Sequence, residues 1–266
     1  MEICDNNKII SKSVLEFIQF VPDVNEESIT DYLVWQWRKL DKRFNYLNIE
    51  KYSKEDENKK TGADFELELW LIKDNKPIPF VVQAKKFIKD YNSYCSKLNY
   101  KTKAKKRQIY ILSNYAKTEK RLPFYLIYSK PDKDTRIICG GMKNNLFEEE
   151  TSLYFADAYV IEQMSKDYKN KKLSKNEILE QSNSFCCLFC CPLTRHNNLH
   201  DYFSHYYSKA LSEHSAIFDG ENEIPIYVRQ IMSNEINDNQ IYGLIEEYRL
   251  NRFRNIGVMD LRNTNE

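Results

Sequence analysis

The stretch from Thr61 to Ile72, TGADFELELWLI, decides the fold reading. Gly62 supplies a turn. After it Phe65, Leu67, Leu69 and Leu71 alternate with Asp64, Glu66, Glu68 and Trp70. A side-chain period of two belongs to a strand with one face on a core. DNKP (Asp74 to Pro77) makes a turn, and IPFVVQAKKF (Ile78 to Phe87) follows as the hairpin partner. Val81, Val82 and Ala84 predict that this second strand is buried. Gln83 and Lys85, two apart, share one of its faces. Polar groups in a buried strand cost about 2–7 kcal/mol each unless they are paired. Asp64 and Glu66 on the neighbouring strand are the natural partners. A pocket of Asp, Glu, Gln and Lys offers oxygen ligands, which suit Mg²⁺ or Mn²⁺ and not zinc.

Working outward, NEESITDYLVWQWRKL (Asn25 to Leu40) has Ile29, Leu33, Val34 and Trp37 at helical spacing, with Asn25 as N-cap. KYSKEDENKK (Lys51 to Lys60) reads as a solvated connector. KAKKRQIYILSNYAKTEK (Lys103 to Lys120) predicts a helix with Ile109, Leu112 and Tyr115 inside. PFYLIYSK (Pro123 to Lys130) predicts an apolar strand, and IICGG (Ile137 to Gly141) a strand tip. SLYFADAYVIEQMSKDYKN (Ser152 to Asn170) turns helical in its second half. FCCLFCC (Phe185 to Cys191) reads as a buried strand, and the rest, through IPIYVRQIM and QIYGLIEEYRLNRFR, as mostly helical. The order is α/β in class: a mixed central sheet flanked by helices, with a core over residues 1–165 and a helix-rich C-terminal part over 166–266 packed on it.

Composition narrows the function classes. The chain has 266 residues, 42% hydrophobic and 30% charged, enough apolar content for a real core and too much for global disorder. No apolar run reaches the roughly 20 residues of a membrane span, and MEICDNNKII has no basic-then-apolar leader. A cytoplasmic protein with no membrane partner is the expectation. Only 6 Gly and 7 Pro argue against collagen-like and loop-rich designs. No G-x₄-G-K-[ST] run is present, so an ATP-driven motor would be a separate protein. Charge is segregated: residues 85–136 carry 15 basic and 4 acidic side chains within a chain of net charge +1. Such a block is what a polyanion requires, although a solvated lysine-rich helix face has the same signature. Lys86, Lys89, Lys101, Lys103, Lys105, Lys106, Arg107 and Gln108 are its candidate nucleic-acid contacts. Tyr91, Tyr94, Tyr100 and Tyr110 lie among them and could stack on bases or simply pack.

Asp64 followed by Gln83-x-Lys85, on a hairpin preceded by a helix, resembles the PD-(D/E)xK nucleases. The variant is the D…QxK form of Mrr-like restriction enzymes and bacterial defence nucleases. Gly62-Ala63-Asp64-Phe65-Glu66 leading into Val82-Gln83-Ala84-Lys85 is similar to an uncharacterised bacterial branch of that superfamily. The resemblance covers residues 25 to 130. Ala63 stands where the naming proline would be, and Gln83 replaces the second acidic residue.

The resemblance implies a restriction endonuclease-like core and metal-dependent hydrolysis of nucleic acid, DNA before RNA, in phage defence or restriction. It implies Mg²⁺ or Mn²⁺ as cofactor. Asp64, Gln83 and Glu27 would hold the ion, with Glu26 and Asp31 close behind Glu27. Lys85 would orient the attacking water or steady phosphate charge. Glu66 could replace the missing carboxylate, and Gln108 resembles a Gln that holds the site together. A homo-oligomer or a separate defence-system partner is compatible with this reading. Each residue also has a plain reading: solvent-facing acids on an edge strand, a snorkelling Lys85, a first-turn Glu27, a helix-surface Gln108.

Two alternatives come from other classes. One is a catalytically inactive nucleic-acid-binding module of the same fold. The other is a zinc-stabilised interaction protein built on Cys186, Cys187, Cys190 and Cys191 with His196, His200 and His205. The 7 Cys are odd in number, and reduced thiols are expected. The apolar spacing of the Cys pairs favours small buried hydrophobes over ligands.

Overall fold

The computed structural model describes residues 3–52, 65–73, 76–88, 93–98, 107–130, 137–139, 142–144, 152–166, 172–190 and 223–262. The chain opens with helix α1 (Ile3–Phe20), which buries Ile10, Val14 and Ile18 at helical spacing. Helix α2 (Glu26–Leu40) follows. The Asn25 side chain accepts from the Ser28 N–H at 2.8 Å, so the N-cap expected from sequence is present. Strand β1 (Phe44–Asn48) and a 3-10 turn (Ile49–Lys51) lead to the hairpin of β2 (Phe65–Lys73) and β3 (Lys76–Phe87). The two pair antiparallel with Leu67 opposite Val82 and Leu71 opposite Ile78.

The short helix α3 (Cys95–Leu98) and helix α4 (Gln108–Thr118) then carry the chain across to β4 (Leu122–Ser129), which runs parallel to β3. A helical crossover is what a parallel pair requires. Strands β5 (Ile137–Cys139), β6 (Met142–Asn144) and β7 (Leu153–Asp157) come next, then helices α5 (Ala158–Ser165) and α6 (Lys175–Leu179). Strand β8 (Asn183–Ser184), helices α7 (Cys187–Cys190), α8 (Ile226–Ser233) and α9 (Asp238–Glu247), and strand β9 (Phe253–Asp260) complete the described elements.

These strands form one mixed sheet of nine, in the order β1-β9-β2-β3-β4-β7-β8-β5-β6. Its two faces bury separate cores. On one, Leu67, Leu69, Phe80, Val82, Phe124 and Phe155 meet α1, α2 and the Phe185–Phe189 turn. On the other, Trp70, Ile72, Val81, Tyr125, Ile127, Ile256 and Val258 meet α4, α5, α8 and α9. The α/β class and the helix-flanked mixed sheet expected from sequence are what the structure has.

Three local expectations differ from the structure. Residues 253–260, within a remainder expected as mostly helical, form β9, second from one edge of the sheet, antiparallel to β1 and parallel to β2. The C-terminal part is thus not purely helical, and both β8 and β9 belong to the same sheet as residues 44–157. The FCCLFCC run is not a strand: Asn183–Ser184 pair with β7, and Phe185 and Cys186 then turn into α7. Phe185 still reaches the core, stacking at an angle on Trp37 with centroids 4.9 Å apart, so burial came through a turn. Finally, Cys4 is disulfide-bonded, against the expectation of reduced thiols, whereas Cys95, Cys186 and Cys187 are buried thiols.

Among the described residues, no helix is long and apolar enough to cross a membrane. Cys191 and the histidines at 196, 200, 205 and 214 lie outside the described residues.

Candidate active site

The hairpin and the start of α2 meet at one end of the sheet. There Asp23, Asn25, Glu26, Glu27, Glu66, Lys86, Ile88 and Lys97 line a cleft of about 370 Å³. The placement of Glu66 depends on a break in alternation. Phe65 packs in the α4/α9 core and Leu67 in the α1/α2 core, although strict alternation would put them on one face. Glu66 lines the cleft beside α2, while Glu68 points the other way to Arg121 and Tyr227. Glu66 and Glu68 therefore do not share a face, contrary to the period-two reading.

Strand β9 makes the same departure in register with β2. Phe253 and Ile256 both pack in the α4/α9 core, while Arg254 and Asn255 between them both reach Asp31 of α2. Paired irregularities of this kind re-aim side chains at strand ends.

Lys85 is 93% buried. Its ammonium donates to Gln108 Oε1 at 2.8 Å and stands 3.9 Å from Glu26 Oε2. The register that sets β4 beside β3 carries the chain through α4, whose first residue is Gln108. Burial pushes the Lys85 amine below the usual lysine range, and Glu26 and Glu66 pull it partly back. Glu66 moves the opposite way. Desolvation, then the charges of Glu27 and Glu26, push its carboxyl up to about 7, with Arg254 and Lys85 opposing. Glu66 Oε2 is buried and has no hydrogen-bond partner among the described residues, and Gln83 Oε1 is in the same condition. Gln83 spends only its Nε2, on the Ala84 carbonyl at 3.5 Å. Leu67 pairs with Val82, so Glu66 and Gln83 are the next residues on each strand.

Arg254 borders the cleft from β9. It binds Asp31 through two parallel bonds of 3.1 and 2.7 Å, Glu50 at 2.6 Å and Glu27 at 3.9 Å. Asn255 Nδ2 adds a 3.0 Å bond to the same Asp31 oxygen. Asp31 is thus consumed as an anchor for β9. Of the acids expected near the site, Glu26 makes the closest link to the hairpin, accepting from the Lys86 N–H at 2.8 Å. Glu27 lies at the rim, about half exposed.

The structure brings Glu26, Glu27, Glu66, Lys85 and Gln108 together, with Gln83 beside them. It parts Asp31 from them. Asp64, Lys89, Lys101, Lys103, Lys105, Lys106, Tyr91 and Tyr100 lie outside the described residues. Lys86, expected on a backbone track, turns inward, its ammonium bonded to the Pro22 and Val24 carbonyls at 2.6 and 2.7 Å. Arg107 lies over the Tyr110 ring at 5.6 Å, while Tyr94 is buried in the core. The sequence reading missed Arg254, because its only signal was the strand character of β9.

The donor set can be tested against a divalent cation. Among the described residues, no three His, Cys, Asp or Glu side chains converge as a ready metal cage. Of the ten buried side-chain atoms without a hydrogen-bond partner among the described residues, Glu66 Oε2 and Gln83 Oε1 belong to the hairpin site and both are oxygens, and Glu26 and Glu27 add carboxylates to the cleft lining beside Lys86 and Lys97. Oxygen donors with incomplete protein coordination fit a hard ion that retains waters, as Mg²⁺ does, and do not fit zinc.

No curated protein and no solved structure is detectably similar to the chain. Residues 3–259 match a family of unknown function, DUF6615, and the chain belongs to that family.

Proposed function

We propose that the protein is a metal-dependent phosphodiesterase acting on nucleic acid, DNA in the first instance, with a restriction endonuclease-like core. One observation carries the reading. A buried Lys85 braced by Gln108 meets the acids of α2 and β2 at the end of the hairpin, where Glu66 and Gln83 each keep a buried oxygen without a partner. Burying an amine, a carboxyl and an amide this way costs stability, and such costs concentrate at functional sites.

In this reading Glu66 and Gln83 hold the ion, with Glu27 or Glu26 from α2 and Asp64 from the segment before β2. The ion, when bound, neutralises phosphoryl oxygen charge and lowers the pKa of a coordinated water. The chain's own groups do the rest. Gln108 fixes the direction of the Lys85 ammonium through the 2.8 Å bond. Lys85 then offers a fixed positive charge where negative charge grows on the phosphate, in a site with little water to compete. Glu66, its carboxyl pushed up to about 7 chiefly by burial when no ion is present, would be drawn to its charged form by a bound cation and so serves as a ligand. Arg254 keeps Glu27 and Asp31 of α2 fastened to β9 and sets the cleft rim.

Incubation of labelled single-stranded and duplex DNA and RNA with Mg²⁺ or Mn²⁺ tests the proposal. Cleavage lost on chelation and lost in a folded Lys85→Ala variant is expected. Binding without cleavage of any substrate would favour the inactive-module reading. A defence or restriction setting follows from the family resemblance and needs a phage-challenge assay with the Lys85→Ala strain as control.

A further inference from the structure

The two N-terminal helices present an aromatic surface that the cleft chemistry leaves unused. Phe17 of α1 stacks on Tyr32 of α2 with ring centroids 4.5 Å apart and planes 17° from parallel. Tyr32 lies 5.9 Å from Trp35, and Lys39 Nζ stands 4.9 Å over the Trp35 ring. Phe20, at the end of α1, is 85% exposed, and Trp35 and Val21 are each nearly half exposed. Scattered exposed apolar residues need no explanation, but neighbouring aromatics of this size do.

The row starts at the cleft. Asp23 and Asn25, which line it, lie two and four residues after Val21. Trp35 lies eight residues beyond Glu27 on one helix, about 12 Å.

Charge is graded along the two helices. The helices run antiparallel, with Asn6 bonded to the Leu40 carbonyl and Trp37 to Asn7. Residues 3–15 and 33–43 therefore share an end, which holds Lys8, Lys12, Arg38, Lys39, Lys42 and Arg43 against Asp5 and Asp41. The cleft end of the two helices holds Glu16, Asp23, Glu26 and Glu27, and the cleft lining adds Glu66, Lys86 and Lys97. A basic, aromatic far end leading to a cleft that holds both acids and lysines suits a polyanion with flat bases. The cations take phosphates, the rings take base faces, and the acids wait with a counter-ion at the reacting phosphate. In a duplex the base faces are already stacked on one another, so rings of this kind select unpaired strands.

We propose that Phe20, Tyr32 and Trp35 form a stacking platform for a single-stranded nucleic-acid segment whose backbone continues into the cleft. This names the substrate class of the phosphodiesterase and rests on that reading for its direction. Its binding can be measured apart from hydrolysis.

The test uses the full chain in EDTA. Trp37 and Trp70 are buried, so Trp35 reports surface events through its fluorescence. Titration with an oligothymidylate of about twelve nucleotides should quench the emission, and a duplex of equal length should not. Trp35→Ala should weaken binding about tenfold, read by anisotropy of labelled oligonucleotide. Trp35→Phe should keep the affinity within about threefold while losing the quench. Phe20→Ala, at the most exposed position, repeats the test should Trp35→Ala fold poorly.

Absence of quenching, equal quenching by duplex, or unaltered affinity in the Ala variants would overturn the proposal. So would sedimentation showing that the wild type self-associates and Trp35→Ala does not, since a second copy would then cover the row. Cleavage without quenching would remove the platform and keep the hydrolase. Quenching without cleavage would do the reverse.

Discussion

Glu66→Gln should make the protein more stable at alkaline pH, and by an amount that the structure sets. Glu66 has its carboxyl pushed up to about 7 from the ordinary 4.5, chiefly by burial. A raised acid is fully accommodated when protonated, below the unfolded value. Its favourable share is lost as pH rises through the folded value. The shift of roughly 2.5 units, at about 1.36 kcal/mol per unit, caps the cost of the ionised form near 3 kcal/mol. At pH 8 nearly all of that cost is present, about 3 kcal/mol, whereas at pH 5 it is below about 1 kcal/mol.

A neutral Gln of similar shape never bears this cost. Urea denaturation at pH 5, 6, 7 and 8 should therefore show Glu66→Gln gaining on wild type by about 2–3 kcal/mol across the series. Mn²⁺ at pH 8 should stabilise the wild type and narrow the gap, because an ion that binds only the folded state adds to its stability. A gap that stays flat from pH 5 to pH 8 would refute the burial argument, and with it the view that Glu66 carries a functional cost.

Further outcomes follow from other contacts. Arg121, held by Glu68 at 2.9 Å and lying 4.7 Å over Trp70, is structural: Arg121→Met should cost about 3–5 kcal/mol in chemical denaturation. The Glu68→Met, Arg121→Met pair should recover most of that loss, because no buried charge is then left alone. Gly257→Ala would set a Cβ 2.9 Å from the Phe44 ring, and a stability loss of about 1–3 kcal/mol by thermal or urea unfolding is expected. Arg254→Met frees Glu27 from β9 and leaves Asp31 held there by Asn255, and isothermal titration should show Mn²⁺ binding weakened about tenfold or more. Arg262→Met, which removes the surface pair with Asp260, should leave Mn²⁺ binding unchanged.

Where the chain carried a clean period, its reading and the structure agree. The β2–β3 hairpin, α2 with its Asn25 cap, and α4 with Ile109, Leu112 and Tyr115 buried all show their spacing in plain sequence. Strand β9 showed none. Its two faces are both covered, so Ile256, Val258 and Met259 follow no alternation. Its parallel partner β2 is some 190 residues upstream, so no turn announces the pairing.

The cysteine-rich run misled for a related reason: a short apolar run is compatible with a strand, a turn or a helix. At the candidate site, the polar residues of the hairpin were legible because polar groups in an apolar strand stand out. Which way Glu66 faced was not, because the break in alternation at the strand's start has no residue signature. Nor could the sequence separate Glu26 from Glu27, adjacent first-turn acids distinguished by the Lys86 N–H that only the folded hairpin presents. Arg254 entered the site only once β9 was placed beside β2.

Lys85 and the acids around it are proposed to hydrolyse phosphodiesters with a divalent ion. Single-turnover cleavage of labelled nucleic acid, wild type against Lys85→Ala with fold checked by circular dichroism, tests it most directly. Cleavage with Mg²⁺ or Mn²⁺ is expected in the wild type, abolished by chelation and reduced at least a hundredfold in the variant. Undiminished cleavage by the folded variant, or a wild type that leaves every substrate intact, would contradict it.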